Sequence, residues 1–106
     1  MDDVFIPCLV DSGALATLLP AWVAAAAGIE LGNLPRRRLA VAARSTQARF
    51  APTTLAIGDH TWEAEVGFCD PWPYAWGLLG QQSFFRFFTV TFRTADFELE
   101  VVPVDR

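Results

Sequence analysis

A chain of 106 residues, 53% of them hydrophobic with nine Phe and four Trp, has the length of one domain, 1–106, and ample apolar material for a core. A net charge of −4 without a basic stripe argues against nucleic acid as a partner, and no apolar run is long enough to span a membrane. The start, Met1-Asp2-Asp3, lacks the basic region of a signal peptide, so a soluble, cytoplasmic protein with no membrane association is expected.

Taken in chain order, the apolar run Val4 to Val10 predicts a short strand, and Asp11-Ser12-Gly13-Ala14 a tight loop behind it. Cys8 falls in that strand, where a buried, reduced thiol is the default. Pro20 suits the first turn of a helix, Ala21 to Ala27 favours one strongly, and Gly28 is a natural stop. Arg36-Arg37-Arg38 reads as a solvated loop or the beginning of a strand. A strand is expected over Arg38 to Ala43, with Arg44-Ser45-Thr46-Gln47 as the polar tip of a hairpin.

Phe50 to Ile57 and Thr61 to Phe68 read as two strands joined at Gly58-Asp59. In the second, Trp62, Ala64, Val66 and Phe68 fall on one face while Glu63 and Glu65 fall on the other, the alternation of a half-buried antiparallel strand. His60, the one histidine, sits beside the turn and is expected to be solvated. Cys69 to Tyr74 is a proline-punctuated aromatic loop of the kind that lines clefts or covers a core. Trp76-Gly77-Leu78-Leu79-Gly80 holds two leucines between glycines, and Gln81 to Phe85 predicts a helical turn. Arg86 to Arg93 and Phe97 to Val102 form a closing hairpin around Thr94-Ala95-Asp96. Many short strands with one or two short helices indicate a mainly β fold. Cys8 and Cys69 are too few for a disulfide framework and lack metal-ligand spacing, so neither a metal nor a cofactor is expected.

The Asp-Ser-Gly stretch carries the chemistry. Alone it is most often an ordinary turn. A carboxylate at the end of an apolar strand is nonetheless costly to bury without a partner, which gives the residue type a reason to be functional.

Asp11-Ser12-Gly13-Ala14 after an apolar strand, with Leu78-Leu79-Gly80 some seventy residues later, resembles the retropepsin-like aspartic proteases. The order of the intervening pieces is similar too, and the stretch from Gly80 to Phe92 looks like the small bacterial members of that family. The resemblance implies a small closed β-barrel of retropepsin type, homodimeric, acting as an aspartic endopeptidase on peptide or protein substrates. One Asp-Ser-Gly per chain means that the second carboxylate of the dyad comes from a second copy. By the same resemblance, Asp11 is the catalytic acid and base, Ser12 bonds across the dyad, and Gly13 lets the backbone approach both carboxylates. Leu78, Leu79 and Gly80 pass behind the loop, of which Ala14 is part, and support it. Arg44, Ser45 and Thr46 fall in the flap, while Trp72, Pro73 and Tyr74 form part of the substrate-pocket wall.

The sequence also departs from the retroviral pattern. Its flap region, Ala42-Ala43-Arg44-Ser45-Thr46, has no glycine. Gln81 and Leu15 stand where retroviral members carry an arginine and its acidic partner. Only ten residues precede Asp11, fewer than the N-terminal hairpin of those members needs. These departures define the alternative, a catalytically inactive retropepsin-like module for dimerisation or peptide binding; an unrelated small β-barrel with a chance Asp-Ser-Gly is the remaining one.

Overall fold

Regular structure begins at β1 (Cys8–Val10), later than the strand expected from Val4. Pro7, immediately before it, has no N–H to give a ladder, though its carbonyl accepts the Gly77 amide at 2.9 Å. The remaining elements are β2 (Thr17–Pro20), α1 (Ala21–Ala27), β3 (Arg37–Val41), β4 (Arg44–Ile57), β5 (His60–Asp70), β6 (Gly77–Leu79), a π-helical turn Gln81–Phe85, β7 (Phe88–Arg93), a 3-10 turn Thr94–Asp96 and β8 (Glu98–Pro103). This computed structural model describes residues 3–104, so Met1 and Asp2, on which the leader reading rested, and the last two residues of the 1–106 domain lie outside the described residues.

The protein is mainly β. Six strands form one sheet in the order β1-β6-β2-β5-β4-β3, curled into a half-barrel, and β7 and β8 form a separate two-stranded ribbon. The helix over Ala21–Ala27 is as its punctuation predicts. Pro20 precedes it in extended geometry, and Gly28 ends it at φ 73°, where Ile29 donates its amide to the Ala24 carbonyl. β2 has no counterpart in the sequence reading. Its four residues are all buried, inserted between β5, which it pairs in parallel, and β6, which it meets antiparallel at Leu18 and Leu78. A strand covered on both faces has no alternation to announce it.

Both faces of the sheet are packed. Leu19, Val66, Phe68 and Ala51 join Val23 and Ala24 of α1 on one side; Leu18, Ala48, Cys69 and Leu78 cluster on the other. The expected alternation in β5 holds for buried Trp62, Val66 and Phe68, against exposed Glu63 and Glu65. It breaks down at the end of the strand, where Gly67 and Cys69 are buried as well. A Cβ on Gly67 would lie 2.8 Å from Leu18 and 2.9 Å from the Phe50 ring, so the second face is as tightly covered as the first. A third cluster, Trp62, Leu79, Phe84 and Phe88, joins the ribbon to the sheet, and the Trp62 indole donates to the Ser83 carbonyl at 2.8 Å.

Two hairpins share β4. The turn between β4 and β5 is Gly58-Asp59, with Gly58 at φ 57°. The turn between β3 and β4 is Ala42-Ala43, since Val41 pairs with Arg44. This corrects the expected tip: Arg44, Ser45, Thr46 and Gln47 are residues of β4, not of the turn. Polar side chains in that stretch imitate turn composition, whereas the ladder shows them fully paired with β3.

In the ribbon, Phe88, Val90 and Phe92 share a face with their partners Pro103, Val101 and Leu99. The inner half of that face is in the core: Phe88 is buried, and Val90 and Val101 pack against the third cluster. The outer half is in solvent, with Phe92 at 55% exposure, and Phe97, in the turn before β8, is 97% exposed. Among the described residues, no helix is long and apolar enough to cross a membrane.

Candidate active site

The Asp loop is fixed from behind by the residues that follow β6. Asp11 donates its amide to the Leu79 carbonyl at 3.0 Å, continuing the parallel ladder of β1 and β6 by one bond. Gln81 and Gln82 then donate their amides to the carbonyls of Ala14 and Leu15, each at 2.9 Å. The Gln81 side chain reaches the Ser12 carbonyl at 2.7 Å. Gln81 thus adds a neutral side-chain amide that bonds to the loop backbone.

Gly80 is required by the closeness of this contact. A Cβ there would lie 2.2 Å from the Ala16 carbonyl oxygen and 2.9 Å from that of Ala14, distances no side chain tolerates. Two buried hydroxyls complete the clamp: Thr17 Oγ1 accepts the Gly80 amide at 3.1 Å, and Ser83 Oγ accepts the Thr17 amide at 3.3 Å. Sequence reasoning missed both. Their partners lie 63 and 66 residues away, so no local pattern marks them.

Within the loop, Asp11 is half-buried, and Ser12 and Gly13 are exposed. Gly13 donates its amide to Asp11 Oδ1 at 3.0 Å, and Ala14 closes the turn with an amide bond to the Asp11 carbonyl at 3.1 Å. This backbone N–H fixes the orientation of the carboxylate. Leu78, Leu79 and Gly80, buried, lie behind this loop.

The remaining predicted residues meet elsewhere on the sheet. Arg44, Ser45 and Thr46 of β4, together with Val41 of β3, face Pro71, Trp72, Pro73 and Tyr74 across a cavity of about 290 Å³. Val41 and the end of β3 were not anticipated as part of it. The Thr46 hydroxyl donates to the Pro71 carbonyl, and the Trp72 indole to the Trp76 carbonyl at 2.9 Å. Tyr74 stacks on Trp76 at 5.4 Å and meets Trp72 edge-on at the same separation, so the aromatic wall is held by its own contacts.

Asp11 is not among the walls of this cavity. The link between the two is the face of the sheet. Val41 and Trp72 pack on the cluster of Leu18, Ala48, Cys69 and Leu78. Leu9 of β1 pairs with Leu78 and so points to the same side, two residues before Asp11.

The other titratable candidates are peripheral. His60 is exposed, its ring against Trp62 and Phe88. Burial pushes the Cys69 thiol up to about 12, and raises that of Cys8 against the opposing effect of the Gly77 backbone. Neither is a poised nucleophile. Among the described residues, no group of three His, Cys, Asp or Glu side chains converges as a metal site would require.

No family model, curated protein or solved structure matches the chain.

Proposed function

We propose that the protein is an aspartic endopeptidase of retropepsin type, active as a homodimer. The observation that carries this reading is the Asp11 loop itself. A carboxylate is held at the end of a strand by a backbone clamp, oriented by the Gly13 amide, and left open to solvent on its outer side. Alternation carried one step beyond β1 puts Asp11 on the face that also bears the flap hairpin and its cavity.

The reaction needs two carboxylates sharing one proton, because like charges so close cannot both ionise. One, unprotonated, takes a proton from a water whose oxygen attacks the scissile carbonyl carbon. The other, protonated, gives its proton to the carbonyl oxygen. Collapse of the tetrahedral intermediate breaks the C–N bond as the amine nitrogen receives a proton. Each chain has one Asp-Ser-Gly, so the pair is Asp11 and Asp11 of the partner subunit on a two-fold axis.

Exposed apolar surface supports a second copy. Leu9 at 53% and Leu15 at 59% flank the Asp loop, and β1 is an edge strand. The solvent half of the ribbon adds Phe92, Phe97 and Leu99. The closed barrel belongs to the same proposal: the curled sheet supplies most of its wall, and the ribbon lies against the remainder.

The test is Asp11→Asn beside wild type, with peptide-library cleavage at mildly acidic pH and sedimentation equilibrium on both. Cleavage by the wild type, blocked by statine-like inhibitors and lost in a variant that still dimerises, is the expected result. A strict monomer at high concentration, or undiminished turnover in the variant, overturns the reading.

A further inference from the structure

We propose that the cavity between the β3–β4 hairpin and the 71–74 loop receives a large apolar side chain, aromatic by preference, from a peptide whose neighbouring residues are acidic. The inference rests on the reading of this face as a peptide-binding cleft and names the substrate class.

Size and lining set the first half. About 290 Å³ exceeds the ~150 Å³ that holds a benzene ring in an apolar cavity, so one phenylalanine or leucine side chain fits with room to spare. The hydroxyl of Thr46 and the indole N–H of Trp72 are turned to carbonyls of the protein itself, Pro71 and Trp76. What these walls offer a guest is mainly hydrocarbon and aromatic surface, already stacked and tied in place, so little ordering is required on binding.

Charge sets the second half. No Asp or Glu occurs between Glu30 and Asp59, while Arg36, Arg37, Arg38, Arg44 and Arg49 all fall there. The hairpin is therefore a positive element on a chain whose other residues hold twelve carboxylates against three arginines. Arg44 is the charged residue in the cavity wall, is exposed, and makes no ion pair among the described residues. Pairing of Val41 with Arg44, Leu39 with Thr46 and Arg37 with Ala48 puts Arg37 on the same face, its guanidinium 5.0 Å over the Phe50 ring. Arg44 in the pocket wall and Arg37 farther along the same face of the hairpin thus offer two fixed positive charges to residues on either side of a buried side chain. A nucleic acid is the weaker fit: the net charge of −4 opposes a long polyanion, and the pocket accommodates one side chain rather than a stacked run of bases.

The test is fluorescence anisotropy with the full chain carrying Asp11→Asn, so that binding is read without turnover. The probes are labelled octapeptides with a central Phe flanked by Glu, by Gln or by Lys, the Glu peptide with Phe replaced by Ala, and a single-stranded RNA octamer. The Glu peptide is expected to bind about threefold more tightly than the Gln peptide at low salt, the difference shrinking at high salt. Replacing Phe by Ala is expected to cost at least about tenfold. R44Q is expected to erase most of the Glu-over-Gln preference while leaving the Phe-over-Ala ratio unchanged, which a general loss of folding could not produce.

Equal binding of Glu and Lys peptides, a preference for the RNA, or no binding of any peptide overturns the inference. Cleavage by the wild type is scored separately. The expected binding pattern without cleavage removes the protease reading and leaves the specificity intact, whereas cleavage without a charge preference does the reverse.

Discussion

The Asp loop and the β3–β4 hairpin are built by opposite means. The loop is over-determined: main-chain bonds from Leu79, Gln81 and Gln82, two buried hydroxyls and a glycine with no room for a methyl group all specify one position. The hairpin ends in Ala42 at φ 47° and Ala43 at φ 64°, two residues with side chains held where glycine or asparagine is ordinarily required. At the other end of β4 a turn of the same length has one positive φ, and glycine occupies it. Phe97, at φ 54° before β8, is the third residue with a side chain held there, so strain sits at the turn beside the cavity and at the tip of the ribbon. The difference between loop and hairpin suits the proposed protease, which needs its carboxylate fixed and its hairpin free to move as peptide enters and leaves.

Changes on the two sides should differ in sign as well as size. The largest effect is expected from Gly80→Ala. Its methyl group has to displace backbone at Ala16, costing about 3 kcal/mol of stability in urea unfolding and detaching the Asp loop. A loss within 0.5 kcal/mol (~) would show that the loop is not clamped there. Thr17→Val keeps the shape and leaves the Gly80 amide without its acceptor in a buried site, for an expected loss of about 2 kcal/mol. Ala43→Gly should act in the other direction. Relief of the left-handed backbone is expected to raise stability by about 0.5–1 kcal/mol, and a destabilised variant would show that the turn is unstrained.

The same contrast explains what could be read from the sequence. The helix over Ala21–Ala27 and the Gly58-Asp59 hairpin were legible because proline and glycine mark their ends. The tip of the β3–β4 hairpin was misplaced because Ala42-Ala43 carries no turn chemistry, while Arg44-Ser45-Thr46-Gln47 next to it looks like a loop and is a paired strand. β2 escaped because Thr17-Leu18-Leu19-Pro20 is buried on both sides and shows no period. In the site, the Asp-Ser-Gly loop and the aromatic loop stood out by composition. Thr17, Ser83 and the Gln81 contact to Ser12 did not, since each acts on a segment more than sixty residues away.

The clamp behind Asp11 is made almost wholly of main-chain atoms, and this bears on how freely its sequence can drift. Carbonyls of Leu79, Ala14 and Leu15 and amides of Asp11, Gln81 and Gln82 are present for any side chain but that of proline at the three donor positions. Substitutions other than proline at positions 14, 15 and 82 are therefore expected to leave the carboxylate in place. The positions that cannot change are Gly80, for lack of space, and Thr17 and Ser83, for their hydroxyls. Mutational robustness around this loop is a property of its backbone, concentrated into three intolerant residues within a permissive neighbourhood.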